Sequence, residues 1–370
     1  MKRRRHAPDY LLLATIIAIS GIGLLMVFSA STAVAHARYG DEWYFARRQL
    51  QWLVMGSVAM FVAAYFNVWS LRKLAGFGLV VAMGLVALTF VPQFAVAAHG
   101  SARWVKIGGI QLQPSEVAKI ALVLWAADKL ARKGVKLRSL TKGSASILLV
   151  TGVLSLLVAV HDLGTAVAIV LVIGIMLFSA GVPMLHLSGM VLSALGGMAV
   201  MVWRAPYRWD RITSYRNPWL DAQDTGYQLV QSLYAIGSGG LFGRGLGKSL
   251  QKEFFLPEPH NDFIFSVLAE ELGFLGAFVV IALFLFLAWR GMRTALRAPD
   301  TFSALLACGI TAMVVTQAAI NIAVVTGSIP VTGITLPLIS SGGSSLLITM
   351  TSLGILMNIT RYTDSGEVKQ

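Results

Sequence analysis

The chain has 370 residues, 56% hydrophobic and only 13% charged, with a formal net charge of +13. Charged residues make up about a quarter of an ordinary soluble domain, so this balance excludes one. The single cysteine, Cys308, excludes a disulfide framework and a cysteine-based metal site. The bases lie in the segments between apolar runs, the pattern by which a membrane protein sets its orientation, so no nucleic-acid partner is expected.

Apolar runs near 20 residues can cross a hydrocarbon core of roughly 30 Å at about 1.5 Å per helical residue. Ten are predicted, at about 10–30, 49–66, 74–93, 115–131, 144–160, 163–181, 184–203, 263–289, 302–326 and 342–360. The first follows Lys2-Arg3-Arg4-Arg5 and precedes Ala33-Val34-Ala35, which imitates a secretory signal with its cleavage site. Its apolar run of about 20 residues exceeds the usual 7–15 of such signals, and many spans follow, so it reads as an uncleaved first span.

With the N-terminus inside, 17 of the 30 Lys and Arg fall on inside segments and five in short outside loops. Seven more lie in the loop 204–262, whose length makes them count for little. The expectation is an all-α polytopic integral membrane protein, one domain over 1–370, with ten transmembrane helices and both termini cytoplasmic. The large extracellular loop, 204–262, joins helices 7 and 8.

Polar groups in or beside apolar spans need explaining. In the outside loop before the fourth span stand Arg103, Trp104 and Lys106. Gln113-Pro114-Ser115-Glu116 then reads as a helix start, with proline and an acid in the first turn. Lys119 is three residues beyond Glu116 on the same helical face. Either the two neutralise each other, or Arg103, Lys106 and Lys119 form a cationic cluster suited to a phosphate carrying a lipid tail. Trp104 with its flanking bases also fits ordinary interfacial anchoring. Asp162, in His161-Asp162-Leu163-Gly164-Thr165, lies in a very short outside turn, where a capping role competes with a functional one.

In the long loop, Tyr227, Leu229, Val230, Leu233 and Tyr234 keep a helical spacing that predicts an amphipathic helix lying at the surface. The glycine-rich run Gly237 to Ser249 ends like a P-loop, but Phe242 occupies a required glycine position and no strand precedes it, so nucleotide binding is rejected. What remains is a tight turn whose backbone N–H groups could receive an anion, or simply a flexible loop. Pro257 and Pro259 stop any preceding element, and Asp262 then stands immediately before about 25 apolar residues. A carboxylate there is either a helix cap or a catalytic group. Glu270 and Glu271 lie about two turns further on, roughly 12 Å along the helix, and point about 100° apart, so both cannot line one groove. Gln317 and Asn321, four apart, are expected to hydrogen-bond between helices. His99, His161 and His260 lack metal-site spacing, and a zinc site would need ligands from separate loops.

These segments together resemble the SEDS proteins (shape, elongation, division, sporulation), closest to the FtsW/SpoVE branch rather than RodA. The resemblance rests on Gln113-Pro114-Ser115-Glu116 with Lys119, Asp162-Leu163-Gly164-Thr165, and Ala205-Pro206-Tyr207-Arg208 through Arg211 to Asn217-Pro218-Trp219. It continues with Gln231-Ser232-Leu233-Tyr234-Ala235, Gly239-Gly240-Leu241-Phe242-Gly243, Leu256-Pro257-Glu258-Pro259 to Phe265, Glu270-Glu271-Leu272-Gly273 and Ile329-Pro330-Val331-Thr332-Gly333. It spans nearly the whole chain in order. It departs where His161 replaces the usual proline, Ser341 replaces tyrosine in Ser340-Ser341-Gly342-Gly343, and His260-Asn261 precedes the aspartate.

The resemblance implies a peptidoglycan glycosyltransferase of the bacterial cytoplasmic membrane. It would polymerise lipid II, an undecaprenyl-pyrophosphate-linked disaccharide peptide, into a nascent glycan strand at the outer face. The role could lie in division, sporulation or cell shape, beside a class B penicillin-binding protein that cross-links the product. The essential carboxylate matches Asp262, which would act as general base because a sugar hydroxyl is a poor nucleophile near neutrality. Candidate lipid II contacts are Arg103, Lys106, Glu116, Lys119, Asp162, Arg208, Arg211 and Ser340. No cofactor is required by the residues, and a divalent cation, Mg²⁺ or Mn²⁺, is the alternative source of charge at the pyrophosphate. Capping and catalysis are compatible at Asp262, since a helix N-terminus would hold it rigid and ionised. The alternatives are a lipid II flippase, which should place charges deep in a central cavity, and a scaffold, which should tolerate Asp262→Asn.

Overall fold

The computed structural model of the chain describes residues 6–98, 101–108, 110–134, 137, 139, 143–204 and 206–363. Three helices come first, α1 (Tyr10–Tyr39), α2 (Tyr44–Tyr65) and α3 (Val68–Leu88), then strands β1 (Ala95–Ala98), β2 (Ser101–Ile107) and β3 (Ile110–Leu112). Helices α4 (Pro114–Lys133), α5 (Ala145–His161), α6 (Leu163–Ser179) and α7 (Met184–Trp203) follow. After them come α8 (Pro206–Arg216), a short 3-10 turn at Pro218–Asp221, α9 (Tyr227–Ser238), α10 (Ile264–Leu296), α11 (Thr301–Val325) and α12 (Gly343–Thr360). Each of the ten predicted apolar segments is helical. Six of the helices described, α1, α3, α7, α10, α11 and α12, are long and apolar enough to cross a membrane.

Local chemistry sets the helix ends. Asp9 caps α1 by accepting from Leu11 and Leu12 N–H, and Gly40, left-handed at φ 66°, closes it nine residues beyond the predicted end. Asn67 and Asp300 cap α3 and α11 in the same way. Helix α11 forms the centre of the bundle and packs on α4, α6, α10 and α12. Helices α2 and α12 share the most extensive helix–helix contact among the described residues, and a Cβ at Gly354 there would collide with the Met60 carbonyl. Small residues let membrane helices approach this closely. Large apolar side chains such as Phe77, Leu185, Leu192 and Phe278 are exposed on the outward faces, as a lipid solvent requires.

The all-α expectation needs one correction. The segment before α4 is a three-stranded antiparallel sheet in the order β1-β2-β3, pairing Val96 with Trp104 and Lys106 with Gln111. Ser101 to Ile107 alternates small, charged and β-branched residues before a glycine pair, a strand signature that a search for apolar runs passes over. A second correction concerns α9. The helix forms, but Leu229, Val230, Ser232 and Ala235 are buried against α10 and α11, so protein covers the face expected to lie on the surface.

Helix α10 is two helices joined at Gly273, whose φ of 70° and ψ of −169° break the spiral. The glycine-rich run crosses this break. Phe274 and Leu275 N–H donate to the carbonyls of Gly240 and Leu241, while Arg244 and Gly245 N–H donate to those of Glu270 and Glu271. The loop backbone thus satisfies the groups that the kink orphans. A Cβ at Gly243 would meet the Glu271 carbonyl, and one at Gly273 would meet the Gly243 nitrogen, so this contact requires glycine on both sides.

The two carboxylates just before the kink, Glu270 and Glu271, are fully buried. Glu270 accepts from Ser249 Oγ at 2.5 Å, Leu250 N–H at 3.0 Å and Gln251 N–H at 3.3 Å. Glu271 accepts from Ser29 Oγ at 2.7 Å and Ser249 N–H at 3.3 Å, and pairs with the buried Lys252 Nζ at 2.9 Å. The N–H groups at the end of the glycine-rich run do face anions, but these are the chain's own. Both Glu270 and Glu271 meet protein partners.

Candidate active site

Asp262 ends the loop that leads into α10, and its backbone is held from outside that loop. The Ser341 N–H donates to the His260 carbonyl at 2.9 Å, Ser340 Oγ to the Asn261 carbonyl at 2.7 Å, and Asn321 Nδ2 to the Asp262 carbonyl at 2.7 Å. Three successive carbonyls are therefore clamped by α11 and the segment joining it to α12. The expected cap is not formed: Phe263 is the N-cap residue of α10, without a side-chain hydrogen bond. The Asp262 carboxylate accepts no hydrogen bond from a described residue and is directed instead into a cavity of about 260 Å³.

The cavity lies where the N-terminal ends of α4, α6 and α10 meet β2 and α8, and Arg103, Glu116, Asp162, Arg211, Glu258 and Asp262 are among its lining. Strand β2 delivers Arg103, whose Nε donates to the His161 carbonyl at 3.1 Å on the turn between α5 and α6. Gly333, left-handed at φ 73°, keeps the centre open: a Cβ there would lie 3.0 Å from Arg103 Nη1 and 3.3 Å from Asp262 Oδ2. Asp162 caps α6, its two oxygens accepting from the Thr165 N–H at 3.0 Å and Oγ1 at 2.7 Å, while the residue still lines the cavity.

Burial pushes the Asp262 carboxyl up from the ordinary carboxylate range to about 6. Asp162 and Glu258 push the same way, and the guanidinium groups of Arg103 and Arg211 oppose them. Loss of solvent therefore outweighs any helix-end effect that would keep the group strongly acidic. His260, its ring tilted against that of Phe45, is held down to about 4, first by burial and against the attraction of Glu258. It is neutral at pH 7 and supplies no cation.

The expected cationic cluster is not assembled. Lys119 is buried and pairs with Glu116 at 2.8 Å, and its Nζ also donates to Gln317 Oε1 at 2.5 Å. Lys106 is exposed on β2 and does not line the cavity. Ser340 lies behind the cavity as part of the backbone clamp. Arg211 reaches the rim and donates to the Val331 carbonyl at 3.4 Å, whereas the side chain of Arg208 falls outside the described residues. Sequence reading singled out neither Glu258 nor Gly333, although both stand inside motifs it quoted. Glu258 adopts a positive φ of 49°, accepts from Asn261 Nδ2 at 2.8 Å and lines the cavity. Asn321 was expected to bond between helices, and it bonds to the Ile334 carbonyl as well as to Asp262. Among the described residues no group of three His, Cys, Asp or Glu side chains could hold a metal ion.

A bundle of long apolar helices, with a cavity at one end lined by carboxylates and arginines, defines a multi-pass membrane protein. Residues 9–365 match the family of cell cycle proteins that groups FtsW, RodA and SpoVE, and the chain belongs to that family. It is 42% identical to the stage V sporulation protein E of Bacillus subtilis, over 98% of this chain and 100% of that protein. It is 40% identical to a probable peptidoglycan glycosyltransferase FtsW of Geobacter sp. (strain M18), over 97% and 98%. Among solved structures it is similar to the rod shape determining protein RodA of Thermus thermophilus, with TM-score 0.70, 29% identity and coverage of 97% and 99%. A chain from a peptidoglycan synthase complex that coordinates polymerization and crosslinking matches with TM-score 0.78, 28% identity and the same coverage.

Proposed function

We propose that the chain is a peptidoglycan glycosyltransferase that polymerises lipid II at the outer face of the bacterial cytoplasmic membrane, with Asp262 as general base. The observation that carries the base assignment is the half-buried Asp262 carboxylate, which caps no helix, is raised to about 6 and opens onto a cavity with Arg103 and Arg211. A base of this strength is largely ionised at pH 7 yet basic enough to take a hydroxyl proton as the new bond forms. The 4-OH of a GlcNAc attacks the anomeric carbon of a MurNAc, and its proton passes to Asp262. The bond from that carbon to the phosphate oxygen breaks, and the electron pair leaves on the undecaprenyl pyrophosphate. Arg103 and Arg211 stand where they can take up the charge that develops there. Attack and departure on opposite faces invert the anomeric centre. A divalent cation, Mg²⁺ or Mn²⁺, accompanying the substrate would add to that neutralisation.

In this reading ten spans leave both termini in the cytoplasm and 204–262 outside, an orientation supported by the distribution of Lys and Arg, under which Asp262, Arg103 and Asp162 share the outer face. Membership beside FtsW proteins named as glycosyltransferases, and likeness to a chain of a polymerizing and crosslinking complex, support a class B penicillin-binding protein as partner. The test is glycan-strand formation from purified lipid II in detergent, by wild type and Asp262→Asn, with and without that partner. Strand formation by wild type and its loss in a folded Asp262→Asn protein are expected. Full activity in the variant would remove Asp262 from the mechanism. Absence of strands under every condition, with transport in vesicles, would favour a flippase.

A further inference from the structure

The opposite end of α10 carries a second cavity, of about 220 Å³, lined by His6, Asp9, Arg290, Arg293, Arg297 and Thr363 among others. From Gly273 to Leu296 the helix runs about 36 Å, so this cavity lies across the bundle from Asp262. The chain ends build its walls: the His6 N–H donates to the Arg361 carbonyl at 2.7 Å, and the Asp9 N–H to Thr360 Oγ1 at 3.1 Å. Asp9 neutralises only one of the three arginines, accepting from Arg290 Nε at 2.8 Å and Nη2 at 2.5 Å. Arg293 is half-buried, and Arg297 is exposed at the helix end. Two guanidinium groups therefore remain in one small concavity without a carboxylate partner among the described residues.

The apolar surroundings say what kind of anion fits. Leu285, Trp289, Met292 and Leu296 follow one another at i, i+4, i+7 and i+11, all exposed on one face of α10. The stripe ends beside the arginines, with Arg290 and Arg293 packed against the Trp289 ring at 5.3 and 5.6 Å from its centre. Tryptophan at this depth marks the headgroup level of a bilayer. A free anion would use the cavity alone, whereas a phosphodiester with acyl chains uses both the cavity and the stripe.

We propose that this cavity is a binding site for an anionic phospholipid, its phosphate held by Arg293 and Arg297 and one acyl chain lying along Leu285, Trp289, Met292 and Leu296. The site is separate from the one proposed for catalysis and does not depend on that assignment. It is tested with the full chain in detergent, measuring binding of short-chain phosphatidylglycerol, phosphatidylcholine and inorganic phosphate. Phosphatidylglycerol should bind more tightly than phosphatidylcholine, and the double variant Arg293→Gln/Arg297→Gln should bind it about thirtyfold more weakly. Leu296→Ser, which leaves both arginines in place, should also weaken phosphatidylglycerol. Inorganic phosphate displacing phosphatidylglycerol at equal concentration, or a Leu296→Ser protein that binds normally, would overturn the lipid assignment. Equal binding of the two lipids by wild type would overturn the site. Should the double variant fail to fold, Arg293→Gln alone with Leu296→Ser decides the matter by the same comparison.

Discussion

Asp262 and the pair Glu270–Glu271 lie eight residues apart around the start of one helix, and the protein treats their carboxylates in opposite ways. Glu270 and Glu271 are fully buried and receive hydroxyl and backbone donors and, for Glu271, an ammonium group as well. The backbone of Asp262 and of the two residues before it is clamped by three hydrogen bonds from elsewhere in the chain, while the Asp262 side chain is left without a donor among the described residues. Burial with partners makes an acid a structural joint. Partial burial without them, as at Asp262, leaves the free energy of ionisation unmet, so the proton affinity rises.

The largest expected effect breaks the comparison at its reactive end. Asp262→Asn should reduce strand formation by about 10²- to 10⁴-fold, the usual worth of a positioned base. Its stability should move the other way. A carboxyl whose folded pKa is raised binds more protons folded than unfolded between about pH 4 and 6, so its ionisation destabilises the fold as pH rises through that window. At pH 7 the neutral asparagine should therefore melt no lower than wild type, as a thermal shift would register. A drop in melting temperature would mean the carboxylate has structural partners after all.

Breaking the structural end should do the reverse. Lys252→Met strands the Glu271 carboxylate in the interior and is expected to destabilise by about 3–5 kcal/mol, read as loss of folded protein in detergent. Adding Glu271→Leu should recover much of that loss, because the uncompensated charge is then gone. Next in size is Gly333→Ala. The left-handed φ strains any other residue, and the methyl group intrudes between Arg103 and Asp262, so a loss of about 1 kcal/mol in stability should accompany a larger loss of turnover. The smallest effect sharpens the electrostatics. The rate should fall as pH drops through about 6, and in Arg103→Gln that acid limb should move to higher pH, because the guanidinium lowers the Asp262 pKa. An unmoved limb would separate Arg103 from the titrating group.

How much could be read beforehand differs from residue to residue. The ten helical segments and the start of α4 at Pro114 follow from apolar runs and a proline–acid signal, because membrane helices must satisfy their own backbone and so declare themselves locally. The pairing of Glu116 with Lys119 was one of two readings left open, and only the packing of α11, which brings Gln317 to Lys119, chose between them. The β-sheet was missed because its strands are short and half-polar. Asn321, Ser340 and Ser341 could not be seen to hold Asp262, since 59 to 81 residues separate them from the carbonyls they bond or from Asp262 itself.

The sequence by itself determined the class of molecule, the segments that become helices, and the acidic and basic residues among which a site must be sought. These are matters of local composition and of period along the chain. Tertiary structure alone decided which acid is satisfied and which is left poised, and which cation stands beside it. That outcome depends on donors arriving from distant segments, and an unpaired carboxylate looks the same in sequence as a paired one.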